Sequence, residues 1–230
     1  MAYAGGKGRC FQRIINLMPP HRVYIELFLG SGAVLRHKKP AEVSIGIDLD
    51  ERVIAAWSHE ISAPIRTEHG DAFAFLREHE FGADQLVYAD PPYLPSARRQ
   101  SKIYRHDLEE VDHVRLLDLL ASLPSHVMIS GYPSELYDRM LVGWRRTEFA
   151  VGSQAGLRDE VVWHNFDPPT VLHDYGHLGN DYRERQRLKR KANRWRRRLE
   201  AMPEGERHAL LSALGDLAPP PPAPSSAFAS

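Results

Sequence analysis

Val23-Tyr24-Ile25-Glu26-Leu27-Phe28-Leu29-Gly30-Ser31-Gly32 runs from an apolar strand into a glycine-rich turn. A strand, a glycine turn and then a helix is the opening unit of an α/β fold. The chain downstream repeats the alternation. Val43–Ile47, Leu86–Ala89 and Val127–Ser130 read as further buried strands. Between them Glu51–Glu60, Ala72–Glu78 and Glu109–Ser122 read as helices, the last with Val111, Leu116, Leu119 and Leu120 on one face. The pattern predicts an α/β fold, with a mostly parallel sheet and helices on both faces.

Trp144–Ala150 and Glu160–Phe166 read as a closing pair of strands around the turn-rich stretch Gly152–Arg158. Asp167-Pro168-Pro169 marks a boundary. Beyond it Tyr182–Met202 has helical composition, and Glu204–Leu214 is a shorter amphipathic helix with Leu210, Leu211 and Leu214. Pro219–Ser230 has five prolines among its first six residues and is expected to be disordered or extended. The expected organisation is a catalytic domain over 1–168, a basic helical extension over 177–215 and a Pro-rich tail over 216–230.

Three signals carry chemistry. The first is the glycine turn itself, because Gly30 and Gly32 let backbone approach a ligand and a helix N-terminus favours a negative group. An ordinary strand-to-helix turn would look the same. The second is Asp48, which ends the next strand 18 residues beyond Gly30. An acid there can accept hydrogen bonds from both hydroxyls of a ribose. It could also cap the helix at Glu51, although Asp50 suits that role better. Together the two imply an adenosine-containing cofactor and do not distinguish NAD from S-adenosyl-L-methionine. The third is Asp90-Pro91-Pro92-Tyr93 after the strand Leu86–Ala89, at the sheet edge where open α/β folds bind ligands. Asp-Pro-Pro is also a good strand-ending turn, since proline cannot continue a central ladder.

Taken together these motifs resemble the Dam-like (D12 class) N6-adenine DNA methyltransferases, in particular the compact ones of phages and prophages. The resemblance runs from Tyr3 to Phe166. Tyr3-Ala4-Gly5-Gly6-Lys7 is similar to the family's N-terminal segment, Phe28–Gly32 to its cofactor loop, Asp48 to its ribose acid and Asp90–Tyr93 to its catalytic tetrapeptide. Gly70-Asp71-Ala72-Phe73 falls where the family often contacts the cofactor's adenine. The resemblance implies a Rossmann-like methyltransferase sheet, S-adenosyl-L-methionine as cofactor and DNA as partner. It implies that Tyr3 and Lys7 fold over the cofactor, with Lys7 directed to the cofactor's carboxylate end or to the active-site acid. Tyr3, Lys7, Phe28, Gly30, Gly32, Asp48, Asp71 and Asp90 are the expected cofactor contacts. Asp90, Pro91, Pro92 and Tyr93 are the expected catalytic residues.

The chemistry requires these residue types. The lone pair of an adenine amino nitrogen is delocalised into the ring. If Asp90 and the Pro91 carbonyl accept its hydrogens, the nitrogen is drawn toward tetrahedral geometry. Two prolines hold that carbonyl without competing donors. Tyr93 can stack on a base rotated out of the duplex. Orientation toward a sulfonium methyl is then the main task. No metal motif is expected, and His173 and His177 read as loop histidines.

In larger Dam-like enzymes a target-recognition insert precedes the tetrapeptide. Here 57 residues separate Gly32 from Asp90, and strands and helices consume them. DNA contacts are therefore expected from Arg98, Arg99, Lys102, Tyr104 and Arg105, just past the tetrapeptide, and from the C-terminal helix. Arg183–Arg198 holds ten Lys/Arg and one Glu, a charge of +9 that offsets −9 on the other 214 residues. Arg187, Arg190 and Arg194 recur there at helical steps, with Leu188, Trp195 and Leu199 forming a narrow apolar stripe. A solvated charged helix is the competing reading.

Other classes are less favoured. Cys10 is the only cysteine, which excludes an internal disulfide and a cysteine metal cluster. The N-terminus lacks the apolar core of a secretory signal, and a monomeric cytoplasmic enzyme is expected, with a cognate restriction endonuclease as a partner the family admits. RNA adenine, cytosine N4 or a glutamine amide are rival substrates. A vestigial methyltransferase fold that only binds DNA is the rival of another class, and the four intact motifs speak against it.

Overall fold

In the computed structural model, the structure describes residues 7, 8, 10–57, 65–94, 107–153 and 156–215. In chain order the elements are α1 (Phe11–Ile15), β1 (Val23–Leu27), α2 (Ala33–His37), β2 (Val43–Asp48), α3 (Glu51–Trp57), β3 (Ile65–His69), α4 (Ala72–Glu78), β4 (Gln85–Ala89), α5 (Glu110–Ala121), β5 (His126–Gly131), α6 (Glu135–Met140), β6 (Arg145–Ser153), β7 (Gly156–His164), α7 (Tyr182–Glu200) and α8 (Glu204–Gly215). The strands form one sheet in the order β3-β2-β1-β4-β5-β7-β6. β1 to β5 pair in parallel, and β7 pairs antiparallel with both β5 and β6. The α/β sheet expected from the sequence is the one observed.

Side chains along the strands alternate between two cores, as the period of two demands. Ile25, Leu27, Ile45, Ile47, Val87, Ala89, Val127, Ile129, Val161 and Trp163 face one cluster, shared with Leu76, Leu116 and Leu120 of α4 and α5. Tyr24, Leu86, Tyr88, Met128 and Val162 face the other, with Ile14, Val34 and Val53 of α1, α2 and α3. Both faces are covered, which is why the parallel strands read as continuous apolar runs. Each fully buried Leu, Ile or Val contributes about 1.5–3 kcal/mol of transfer free energy.

Several local expectations need correction. Val111 is 59% exposed; His113, Leu116, Leu117 and Leu120 are the buried residues of α5. The Asp112 carboxylate accepts the Glu109 N–H (3.1 Å), which sets the start of α5 and turns Val111 outward. The closing hairpin reaches further than its apolar core suggests: Phe149 pairs with Glu160, and the ladder continues to Ser153 and Gly156. Backbone pairing, not apolar side chains, carries those last steps. The sequence reading also passed over β3, whose Ile65-Arg66-Thr67-Glu68-His69 is an edge strand with polar residues, and the short helices α1 and α6. The expected end of the third helix at Glu60 and the tail from Pro219 lie outside the described residues.

The segment after Pro169 does not leave the body at once. His173 N–H donates to the Met18 carbonyl (3.0 Å), and the His173 ring donates to the Lys39 carbonyl (3.0 Å). The His177 ring donates to the His37 carbonyl (2.9 Å), and Asn16 donates to the His177 carbonyl (2.8 Å). His173 also stacks on His21 with ring centroids 3.8 Å apart. These two histidines are a latch, each with its ring Nε2 committed to a backbone oxygen. The helical arm starts only after them. Asp181 caps α7 by accepting the Glu184 N–H (2.8 Å), and neither α7 nor α8 buries a residue.

Candidate active site

The carboxyl ends of β1 and β4 lie side by side where the strand order reverses, with Leu27 opposite Ala89. Open α/β sheets bind ligands at such a switch point. Both sequence motifs emerge there. Leu29 N–H bonds the Ile47 carbonyl (2.9 Å) and Asp90 N–H the Leu27 carbonyl (3.3 Å), so the turn, Asp48 and Asp90 share one edge.

The turn is held in an uncommon conformation. Phe28, Gly30 and Gly32 all have positive φ, at 59°, 49° and 57°. A Cβ on Gly32 would lie 2.1 Å from Trp57 Cζ2, so packing against α3 requires this glycine independently of any ligand. Trp57 is a shaping residue that the sequence reading missed, and a lone Trp in a helix carries no local signal of it. Glu26 is buried on β1 and accepts the Tyr24 hydroxyl at Oε2 (2.8 Å), while burial pushes its carboxyl up to about 8.

Asp48 is buried at the end of β2. Its Oδ2 accepts the Gly30 N–H (2.8 Å) and its Oδ1 the Asp50 N–H (2.8 Å). Asp50 in turn accepts the Arg52 N–H (3.0 Å), the local capping role expected of it. Each carboxylate oxygen has two lone pairs, so an acid fixed by backbone amides retains the chemistry to accept ribose hydroxyls. The donor set fits an adenosine-containing cofactor. Asp71, exposed at the end of β3, caps α4 by accepting the Phe73 N–H (3.2 Å).

Asp90 sits in a buried polar cluster. Lys7 Nζ is 2.6 Å from Asp90 Oδ1 and 3.0 Å from Glu160 Oε1, and it also donates to the Tyr93 hydroxyl. The Tyr93 hydroxyl donates to Glu160 Oε1. Ser130 Oγ donates to Asp90 Oδ1 (3.0 Å) and is itself 2.9 Å from the Tyr88 hydroxyl. Two of the three ammonium N–H donors go to Asp90 and the Tyr93 hydroxyl, and Glu160 stands within ion-pair distance. Of the two destinations expected for Lys7, the active-site acid is the one it reaches. Burial raises the Asp90 carboxyl above its usual range, with Lys7 opposing the shift and Glu160 adding to it. Burial opposes the Lys7 charge, yet Asp90 and Glu160 hold its pKa well above that of an ordinary lysine.

Tyr93 is 7% exposed, its ring edge-on to Tyr132 with centroids 4.4 Å apart. Arg158 donates to the Tyr132 hydroxyl (2.8 Å). Ser130 and Glu160 escaped the sequence reading. Ser130 had a signal of the same kind as Asp90, a polar residue closing an apolar strand. Glu160 had none: it lies mid-way along β7, next to Val161 opposite Gly131, and only because β7 runs antiparallel does it come to the carboxyl end of β5. Arg187, Arg190 and Arg194 are exposed on α7, away from any buried core. Tyr3, Arg98, Arg99, Lys102, Tyr104 and Arg105 lie outside the described residues.

Residues 3–70 match the D12 class N6 adenine-specific DNA methyltransferases. That stretch contains Lys7, the Phe28–Gly32 turn and Asp48, whereas Asp90, Ser130 and Glu160 lie beyond it. The match implies S-adenosyl-L-methionine as the methyl donor, and with the sheet it supports an S-adenosyl-L-methionine-dependent methyltransferase. No curated protein matches the sequence.

Solved structures with a similar path are distant. TrmN from Thermus thermophilus is 20% identical, with a TM-score of 0.45 over 68% of this chain and 47% of that one. Spermidine synthase from Thermotoga maritima is 11% identical, with a TM-score of 0.47 over 70% of this chain and 61% of that one. The RNA methyltransferase-like PH1948 from Pyrococcus horikoshii is 14% identical, with a TM-score of 0.43 over 66% and 77%. Among the described residues no helix is long and apolar enough to cross a membrane.

Proposed function

We propose that the chain transfers a methyl group from S-adenosyl-L-methionine to N6 of adenine in DNA. The observation that carries this reading is the asymmetry of Asp90. Both of its side-chain partners among the described residues, Lys7 and Ser130, sit on Oδ1. Oδ2 is left to accept a substrate N–H at the switch point, beside the Gly30 turn and Asp48. The Pro91 carbonyl takes the second amino hydrogen, held by rings that fix the backbone. With both hydrogens engaged, the amino nitrogen turns its lone pair outward.

Asp48, Phe28, Gly30 and Tyr3 hold the cofactor, which supplies an electrophilic sulfonium methyl when bound. Lys7 carries one positive charge against the carboxylates of Asp90 and Glu160, and the net negative charge suits a sulfonium. The base is rotated out of the duplex, because the amino group is out of reach inside the stack. Tyr93 receives it, and since its ring is buried with Tyr132 against it, Tyr132 has to give way.

DNA is held by phosphate contacts from the exposed arginines of α7 and from Arg98, Arg99, Lys102, Tyr104 and Arg105. Without an insert before the tetrapeptide, most of the affinity is sequence-independent and the target is short. The reading places a monomer in the cytoplasm, with a cognate endonuclease where it serves restriction-modification.

Nucleoside mass spectrometry of DNA and RNA from cells expressing the chain tests it. N6-methyladenine in DNA, absent with Asp90→Ala, is the expected result. N4-methylcytosine, or methyladenine confined to RNA, would replace the proposed substrate. No modified base at all would remove the activity.

A further inference from the structure

We propose that Glu160 is a positioning residue for methyl transfer, which together with Tyr93 locks the Lys7 ammonium onto one oxygen of Asp90. The inference rests on the reading of Asp90 as the acceptor of the substrate amino group. It adds a second acid, one that neither the glycine turn nor the tetrapeptide contains.

Glu160 is 6% exposed, and its Oε1 receives both the Lys7 ammonium (3.0 Å) and the Tyr93 hydroxyl. Burying a carboxylate costs several kcal/mol unless charge and hydrogen bonds offset it. Glu160 finds the charge in an ammonium that Asp90 also needs and the hydrogen bond in the Tyr93 hydroxyl. Lys7, Tyr93 and Glu160 form a closed ring of three contacts, and Lys7 reaches out of it to Asp90.

Two consequences follow from that ring. Lys7 sits on a short segment before α1 and would otherwise pivot freely on its four-carbon stem. With Glu160 and Tyr93 as fixed anchors it meets Asp90 from one side only, and Oδ2 stays open. The ring also divides the lysine's charge. An ammonium facing Asp90 alone would draw off the electron density that the amino hydrogens must find. Shared with Glu160, it orients Asp90 without quenching it as an acceptor.

The other groups facing Asp90 do not replace this. Ser130 on β5 is neutral, Tyr88 on β4 hydrogen-bonds Ser130 rather than Asp90, Glu26 and Tyr24 on β1 bond each other, and burial holds the Cys10 thiol and the Tyr137 hydroxyl of α6 in their neutral forms. Tyr93 is already part of the ring. Among these neighbours Glu160 is the acid placed to balance Lys7 directly.

The test compares wild type, Glu160→Gln, Lys7→Met and the double variant as full chains. Gln keeps the shape and one acceptor oxygen, so the fold should survive, and a thermal melt verifies that. Titration of 13C-labelled aspartate by NMR should show the Asp90 carboxyl ionising at lower pH in Glu160→Gln than in wild type. The kcat should fall on the order of tenfold or more, with KM for DNA nearly unchanged. The acid limb of the pH–rate profile should move down with the titration. The double variant should be no slower than Lys7→Met alone, because Glu160 acts through Lys7.

An unmoved Asp90 titration would overturn the proposal whatever the activity. So would losses in the two single variants that multiply in the double. Absence of methyl transfer by the wild type would instead sink the methyltransferase reading, and the titration would still decide the role of Glu160.

Discussion

The Gly30 N–H donates to Asp48 Oδ2 at 2.8 Å, tying the turn after β1 to the end of β2. The acid that ends β2 and the glycine turn after β1 are therefore one unit. The same carboxylate takes the Asp50 N–H, so its orientation is set before any ligand arrives. Pre-orientation of this kind lowers the entropic cost of binding.

Asp48→Ala should weaken S-adenosyl-L-methionine binding by about 1–3 kcal/mol from lost ribose hydrogen bonds. Loosening of the turn adds to the loss, because Gly30 gives up its acceptor. Asp48→Asn, which keeps one acceptor oxygen, should fall in between. Isothermal calorimetry with the cofactor alone measures this, and an unchanged affinity would take Asp48 out of the site.

Asp90→Ala should cost methyl transfer at least about 100-fold while the protein stays folded. The substitution leaves Lys7 facing Glu160, one charge against one, so no buried ion is stranded. Incorporation of labelled methyl into DNA, beside a thermal melt, separates the two effects. Near-normal turnover would show that another group orients the amino nitrogen.

Glu26 should make stability depend on pH in a defined direction. Burial raises its carboxyl from the ordinary 4.5 to about 8, so the folded state binds this proton more tightly than the unfolded chain. Its contribution is complete below the lower value, shrinks between the two and is lost above the higher one. His21 works the opposite way: burial pushes it down to about 2, so its contribution shrinks as pH falls below the ordinary 6.5 and is lost through the lower value. The difference between wild type and Glu26→Gln isolates the first effect. Urea denaturation across that range should show wild type losing stability relative to the variant as pH rises. Parallel curves would mean that Glu26 ionises as it does in the unfolded chain.

The point of truncation matters for the arm. A chain ending at Gly179 keeps the His173 and His177 latch and loses the ten basic residues of Arg183–Arg198. It should melt like the full chain, bind cofactor normally and show a flatter slope of log DNA affinity against log salt. Ending the chain at Pro169 also strips the latch, uncovers His21 and should lower the melting temperature. Equal salt slopes for the full chain and the Gly179 form would show that the arm does not touch phosphates.

Much of this architecture was legible in the sequence by itself. Apolar runs of strand length between amphipathic stretches determined an α/β sheet, because burial on both faces leaves no other pattern. Asp48 and Asp90 were legible as polar residues ending such runs, and the glycines between Phe28 and Gly32 as a turn where backbone can approach a ligand. Ten basic residues in Arg183–Arg198 marked an arm that cannot join a core.

Only the tertiary structure decided which groups meet. Lys7 and Glu160 are 153 positions apart and touch because α1 packs on one face of the sheet while β7 runs against its neighbours. Trp57 closes on Gly32 through the packing of α3, and the latch of His173 and His177 closes on carbonyls of Lys39 and His37. None of these pairs leaves a periodicity, since side-chain and backbone polar groups pair wherever folding brings a donor within reach of a buried acceptor. Local pattern records burial along one element. The pairing of charges across elements is written only in the packed chain.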